Sequence, residues 1–132
     1  MRGGAVLSPH AEVGNFVEVK NSTIGDHTKA KHLAYIGDAE IGKNSNIGAG
    51  TITCNYDGFR KHNTKIGDRV QVGSDTTLVA PVNISDDVYI ATATTVRKDV
   101  PAGSLVFNRR QEETRPGWTA NKRAKEKQAK QS

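Results

Sequence analysis

Between residues 66 and 97 an aliphatic side chain returns every six positions: Ile66, Val72, Leu78, Ile84, Ile90 and Val96. Two residues before each stands a smaller or β-branched one: Thr64, Val70, Thr76, Val82, Val88 and Thr94. A helix repeats near 3.6 and a simple strand at 2, so neither explains a period of six. Parallel strands wound into a coil do, each hexapeptide forming one short face. The two marked residues of a hexad are two apart and point the same way, into the coil. Gly, Asp, Ser and Asn fill the positions between and suit the corners. The pattern predicts an all-β fold, a parallel β-helix of hexapeptide repeats.

Upstream the hexads are less regular. They begin at Val13 and Val19, reach Ile24 one residue early, and continue through Ile36, Ile41 and Ile47, with Ala30 where a larger residue is expected. The five-residue steps from 19 to 24 and from 36 to 41 predict tightened corners or a shift of register. Residues 1–12 read as an incomplete first coil. Between Ile52 and Ile66 the period fails over CNYDGFRKHNT, and Asp57-Gly58 signals a turn, so a loop leaves the stack and returns to it. Asp99-Val100-Pro101-Ala102-Gly103 closes the repeat. About five coils of roughly 18 residues fit between Val13 and Val100. Residues 1–104 are thus expected to form the β-helix domain and 105–132 an irregular arm with a basic tail. So short a stack exposes strand edges, and association of chains is expected, as a trimer.

Composition narrows the class. Only 35% of the 132 residues are hydrophobic, thin for a sandwich but sufficient for stacked coils that bury one another's interiors. No run approaches the ~20 apolar residues of a membrane span, and no signal segment opens the chain. The single Cys54 has no internal partner and reads as a reduced thiol. These features predict a cytoplasmic protein without membrane partners. The net charge of +5 resides in residues 109–132, which hold eight basic and three acidic side chains. This tail lacks interleaved aromatics, so a solvated segment, helical near its end, is expected rather than nucleic-acid binding.

Candidate chemistry is sparse. KAKHLAYIG sets His32 and Tyr35 three apart beside a coil face, and a histidine is the usual general base near neutral pH. An exposed corner histidine without a role gives the same spacing. Arg2, Lys20 and Lys61 are cations that stacking would gather around a phosphate, or else surface charges. Asn46 and Asn55 are either donors to a substrate or corner residues. Ile47-Gly48-Ala49-Gly50-Thr51 is small enough for a thin ligand, or for a tight turn. A histidine-held zinc is also weighed at His27 and His32. Three protein ligands are needed, and neither His10 nor His62 falls at an obvious stacking distance, so no metal is expected. Thr51, Thr53, Thr92, Thr94 and Thr95 form no regular ladder of the kind an ice-binding face needs.

GNFVEVKNSTIG, KAKHLAYIGDAEIGKNSNIGAGTITCNYDG and VGSDTTLVAPV closely resemble one family of bacterial enzymes in its C-terminal domain. The family is the bifunctional N-acetylglucosamine-1-phosphate uridyltransferase/glucosamine-1-phosphate N-acetyltransferases. The resemblance runs from about Arg2 to Trp118 and includes the loop. It implies a left-handed β-helix, a homotrimer with sites between subunits, and acetyl-CoA as co-substrate. It assigns the catalytic base to His32 and sugar-phosphate contacts to Arg2, Lys20, Tyr35, Asn46 and Lys61. It assigns acetyl-CoA contacts to Ala49, Asn55, Tyr56, Ser74, Arg109 and the position of Thr92. The implied reaction is N-acetylation of glucosamine 1-phosphate to N-acetylglucosamine 1-phosphate, a step toward cell-envelope precursors, with a donor from the Asn55-Tyr56 segment at the oxyanion. Two departures stand inside the site: Lys31 where the family has Gly before the histidine, and Thr92-Ala93 where it has Ala-Gly. The uridyltransferase half has no counterpart in these residues, so neither that activity nor a magnesium site is expected. A weakened remnant, a trimerising scaffold and an acyltransferase for another amino sugar remain alternatives.

Overall fold

A computed structural model describes residues 2–131; Met1 and Ser132, the outermost residues of the two expected segments, lie outside it. The chain winds into about six turns of parallel strands with almost no helix. One face stacks β1 (Val6–Leu7), β3 (Thr23–Ile24), β5 (Ala39–Ile41), β8 (Thr64–Ile66) and β11 (Val82–Ile84). Two nine-residue strands, β2 (Glu12–Lys20) and β4 (Lys29–Gly37), run through a corner and belong to both remaining faces. The early half of β4 pairs with β6 (Asn46–Ile47), which continues to β9 (Gln71–Val72), β12 (Tyr89–Ile90) and β14 (Leu105–Val106). Its late half pairs with β7 (Ile52–Cys54), followed by β10 (Thr77–Val79) and β13 (Thr95–Val96).

All twelve residues of the regular hexads are buried, from Leu78 and Ile84 at 0% exposure to Val82 at 4%. Alternation puts every second side chain inside, where each interior aliphatic contributes roughly 1.5–3 kcal/mol of hydrophobic stabilisation before ordering entropy is subtracted. Ala30 is buried too, filling the place where a larger residue was expected. Inner-column threonines bond to the backbone, Thr28 to the Gly42 carbonyl, Thr76 to that of Gly73 and Thr94 to that of Ala91, whereas the buried Thr64 hydroxyl has no partner among the described residues. The five-residue steps are tightened corners, at Asn21 and Asp38, both with positive φ. They shorten the early coils, so Val6 lies beside Thr23 and Glu12 beside Lys29, seventeen residues on.

The incomplete first coil expected of residues 1–12 supplies β1, which stacks on β3, and β14 continues the stack beyond the closing turn at Gly103. Residues after β14 run exposed to α1 (Trp118–Gln131), which buries none of its side chains. Among the described residues no helix is long and apolar enough to cross a membrane.

The loop between β7 and β8 is a small hairpin with an antiparallel bridge between Tyr56 and Lys61. Asp57 organises it: one carboxylate oxygen accepts the backbone N–H of Phe59 and of Arg60, each at 2.8 Å. The other oxygen meets His62 Nε2 at 2.8 Å. The Arg60 amide first, then His62 and the Phe59 amide, hold the Asp57 carboxyl down at about 2.

Candidate functional site

One corner of the coil, crossed by β2 and β4, carries most of the candidate residues. Asn15 pairs in register with His32. Above them the backbone contacts at this corner run from Gly50 to Leu33, from Asp75 to Ala49 and from Ala93 to Ser74. His32, Ala49, Ser74 and Thr92 therefore occupy the same position on successive turns. The residues after them, Leu33, Gly50, Asp75 and Ala93, share a positive φ. A column of small side chains above a histidine leaves a shallow track along the corner.

The His32 side chain is exposed and makes no hydrogen bond or ion pair among the described residues. It lines an open depression of about 310 Å3 with Glu12, Val13, Gly14, Asn15 and Lys31. Beyond the corner, Phe16, Leu33, Tyr35 and Ile52 line a second, more apolar depression of about 450 Å3. Lys31 does not crowd the base. Its ammonium reaches Glu12 one coil away, 3.1 Å off, and holds that carboxyl below its usual range. Nor does its backbone take the left-handed conformation that would demand Gly. Glycine is needed instead at Gly14, where a Cβ would overlap the Lys31 carbonyl. Ala93 is the other departure, holding φ 59 where Gly50 holds 78 two turns earlier. Left-handed backbone costs a non-glycine residue roughly 1–2 kcal/mol.

At the far end of β4 the structure gathers the cations. Lys61, returned by the hairpin, lies close to Lys20 and is the first cause of its lowered pKa; desolvation and Arg2 add to this, and Asp38 opposes it. Arg2 contacts Glu18 at 3.0 Å. Two ammonium groups held together repel, and an anion between them relieves the repulsion. Beside them lies a network that the sequence did not disclose. Asn55 Nδ2 donates to Tyr35 Oη at 3.2 Å and to Asp38 Oδ2 at 2.8 Å. Asn21 Nδ2 donates to the other oxygen of Asp38 at 2.8 Å. The Asn21 bond leads in holding the Asp38 carboxyl below its ordinary value; burial opposes, and Asn55, Lys20 and Lys61 assist. A Cβ at Gly37 would strike the Tyr35 hydroxyl and the Asn55 amide, so this packing requires glycine there. Asp38 is not among the residues the sequence singles out; its one signal is the five-residue step from 36 to 41.

The remaining candidates are dispersed. Asn55 is turned inward, its side-chain amide occupied by Tyr35 and Asp38. Tyr56 is exposed on the hairpin with its hydroxyl donating to the Gly58 carbonyl at 3.0 Å. Arg109 is exposed in the arm after β14. Asn46 pairs with Lys29 and Gln71, on the face before the corner, whereas Tyr35 pairs with Ile52 on the face after it. The outward directions of those faces diverge, so one chain does not bring Asn46 and Tyr35 together.

His27 does not join His32. It stacks on His10, ring centroids 4.7 Å apart and planes within 3°. The expectation that His10 lies off any stacking distance is therefore corrected. A regular coil of 18 sets His10 against Thr28; the shortened step from Val19 to Ile24 sets it against His27.

No family model matches the chain. Among curated proteins it is 58% identical over 118 residues to the bifunctional protein GlmU of Pelobacter propionicus, covering 89% of this chain and 26% of that protein. The GlmU of Thermodesulfovibrio yellowstonii is 56% identical over 123 residues, 93% of this chain and 27% of its own. The chain thus spans about a quarter of the length of the curated relatives it matches. Among solved structures, a maltose O-acetyltransferase from Clostridium difficile superposes with a TM-score of 0.71 at 20% identity, over 80% of this chain and 65% of that one. PerB from Caulobacter crescentus, in complex with CoA and GDP-perosamine, gives 0.62 at 21%, over 80% and 52%. These structural likenesses establish the left-handed hexapeptide β-helix, an exception to the right-handed crossover rule. Over nine-tenths of its length the chain is similar to the C-terminal acetyltransferase domain of the bifunctional protein.

Proposed function

We propose that this chain acetylates the amine of glucosamine 1-phosphate at the expense of acetyl-CoA, giving N-acetylglucosamine 1-phosphate and CoA in the cytoplasm. The observation that carries this reading is the division of the site along β4. An unpartnered His32 stands below the small column Ala49, Ser74 and Thr92, and Lys20 and Lys61 crowd together at the strand's other end.

In this reading Arg2, Lys20 and Lys61 hold the sugar phosphate and Tyr35 contacts the sugar, fixing the amine beside the thioester carbonyl. His32 accepts the amine proton as the new N–C bond forms and the C–S bond breaks. The CoA thiolate departs with the electron pair and is then protonated. Ala49, Ser74 and Thr92 leave a track for the pantetheine arm, with Tyr56 beside it and Arg109 toward a CoA phosphate. Asn55, occupied through its side chain, acts by orienting Tyr35 and Asp38 rather than as the oxyanion donor.

The working assembly is a homotrimer with sites between chains. Exposed Phe16, Leu33 and Ile52 beside the histidine support a neighbour packing there, at 86%, 62% and 46% exposure. The divergence of Asn46 from Tyr35 supports a second chain supplying Asn46.

The test is CoA release from acetyl-CoA with and without glucosamine 1-phosphate, with mass detection of the sugar so that Cys54 chemistry does not intrude. Substrate-dependent N-acetylglucosamine 1-phosphate is expected. Its absence from a folded oligomer, with turnover on another amino sugar, moves the acceptor; absence with every amino sugar overturns the enzyme reading.

A further inference from the structure

A second corner of the coil, separate from the one bearing His32, collects three metal-binding side chains. His10 follows β1, and Asp26 and His27 follow β3 one turn above. One ligand atom from each lies within 4.8 Å of the others. Asp26 lies beside the stacked rings: Oδ1 is 3.0 Å from His10 Nδ1, and Oδ2 is 3.6 Å from His27 Nε2. Neighbouring ligands of a tetrahedral zinc, each about 2.0–2.1 Å from the ion, are roughly 3.3 Å apart. The Asp26 Oδ1–His10 Nδ1 separation is near that value, and the three side chains, all open to solvent, close the rest of the span on binding an ion.

The arrangement is built by the repeat rather than by two loose rotamers. Parallel strands stack at about 4.8 Å, and the seventeen-residue step puts His10 directly beneath His27, hence the 4.7 Å between ring centroids. The backbone N–H of His10 also donates to Asp26 Oδ1 at 3.0 Å, which pins the carboxylate toward the pair. Partial burial raises the Asp26 pKa, but the two His10 hydrogen bonds and both rings outweigh it and favour the anion. All three side chains keep access to solvent, so water completes the coordination.

We propose that His10, Asp26 and His27 bind one divalent transition-metal ion per chain, of the zinc, cobalt or nickel type. Two imidazoles and one carboxylate suit these ions and disfavour magnesium and calcium, which take oxygen ligands. The bound ion ties the first two turns of the stack together at this corner. The site stands independently of the acetyl-transfer reading.

The test uses the full chain without an affinity tag, stripped with chelator and dialysed against Zn2+ or Co2+. One ion per chain is expected, with Co2+ giving visible ligand-field bands and Zn2+ raising the melting temperature. Loss of an outer partner alone weakens metal sites about 10- to 100-fold, so His10→Ala and His27→Ala each lose at least tenfold in affinity. The far-UV dichroism of each variant checks that the coil persists; should either fail to fold, His10→Gln and His27→Asn replace them. His62→Ala binds as the parent does. No binding at micromolar metal, or binding unchanged in both variants, or binding lost with His62→Ala, overturns the site.

Discussion

Two corners of this β-helix share a backbone and differ in chemistry. At one, His27, Asn44, Arg69 and Asp87 recur with φ between 55 and 59; at the other, Phe16, Leu33, Asp75 and Ala93 span 36 to 59. The first is occupied with itself. Asp26 takes His10 and His27, Asp68 accepts the Lys43 amide, and Arg69 makes two bonds to Asp87 at 2.8 and 3.1 Å. The second leaves His32 unpartnered and Phe16, Leu33 and Ile52 open to solvent. The coil needs a left-handed residue at each corner but does not dictate which. At the first corner side chains meet one another across turns, and the proposed metal ion would tie those turns together; the second leaves its groups open to a substrate or another chain.

The largest effect that would break this contrast is loss of the base. His32→Ala is expected to lower the acetyl-transfer rate about 10²- to 10⁴-fold with a melting temperature near the parent's, because the exposed side chain makes no hydrogen bond or ion pair among the described residues. Equal activity in variant and parent removes His32 as the base. Next comes Lys61→Ala, whose lost phosphate contact raises KM for the sugar phosphate roughly tenfold to a hundredfold and leaves KM for acetyl-CoA near its parent value. A rise in both constants would place Lys61 in the cofactor track instead.

The hairpin that delivers Lys61 gives a pH test. Asp57 is depressed from an ordinary 3.8 to about 2. Its contribution is complete above the unfolded value and is lost as pH falls through the folded one. The Phe59 and Arg60 amide resonances should hold to about pH 3 and shift with a midpoint near 2; a midpoint near 3.8 contradicts the Asp57 turn. The smallest effect belongs to the self-satisfied corner. Arg69→Ala breaks an exposed pair and should barely move the melting temperature or the turnover. A substantial loss of activity there would erase the distinction between the corners.

Much of the fold was legible because a period of six has few structural solutions, and every inner residue from Thr64 to Val96 went where the period put it. The site was less so. The alignment of His32 with Ala49, Ser74 and Thr92 crosses coils of unequal length, and only family resemblance grouped those residues beforehand. Lys20 meets Lys61 through a hairpin whose return no repeat predicts. Asp38 and Asn21 sit at corners that the five-residue steps marked, but the bonds of Asn21 and Asn55 to Asp38 depend on three-dimensional approach. His10 was missed by counting regular coils across a short one.

The measurement closest to the central claim mixes two inactive chains. In the proposed trimer His32 of one chain works opposite Asn46 of the next. His32→Ala and Asn46→Ala chains, unfolded together and refolded at equal amounts, should regain up to about a quarter of parental turnover, since random cyclic assembly makes that share of interfaces intact. Each variant refolded alone should stay inactive. No recovery from mixed trimers of confirmed composition would mean that both residues act within one chain, contradicting a corner left open for a neighbour.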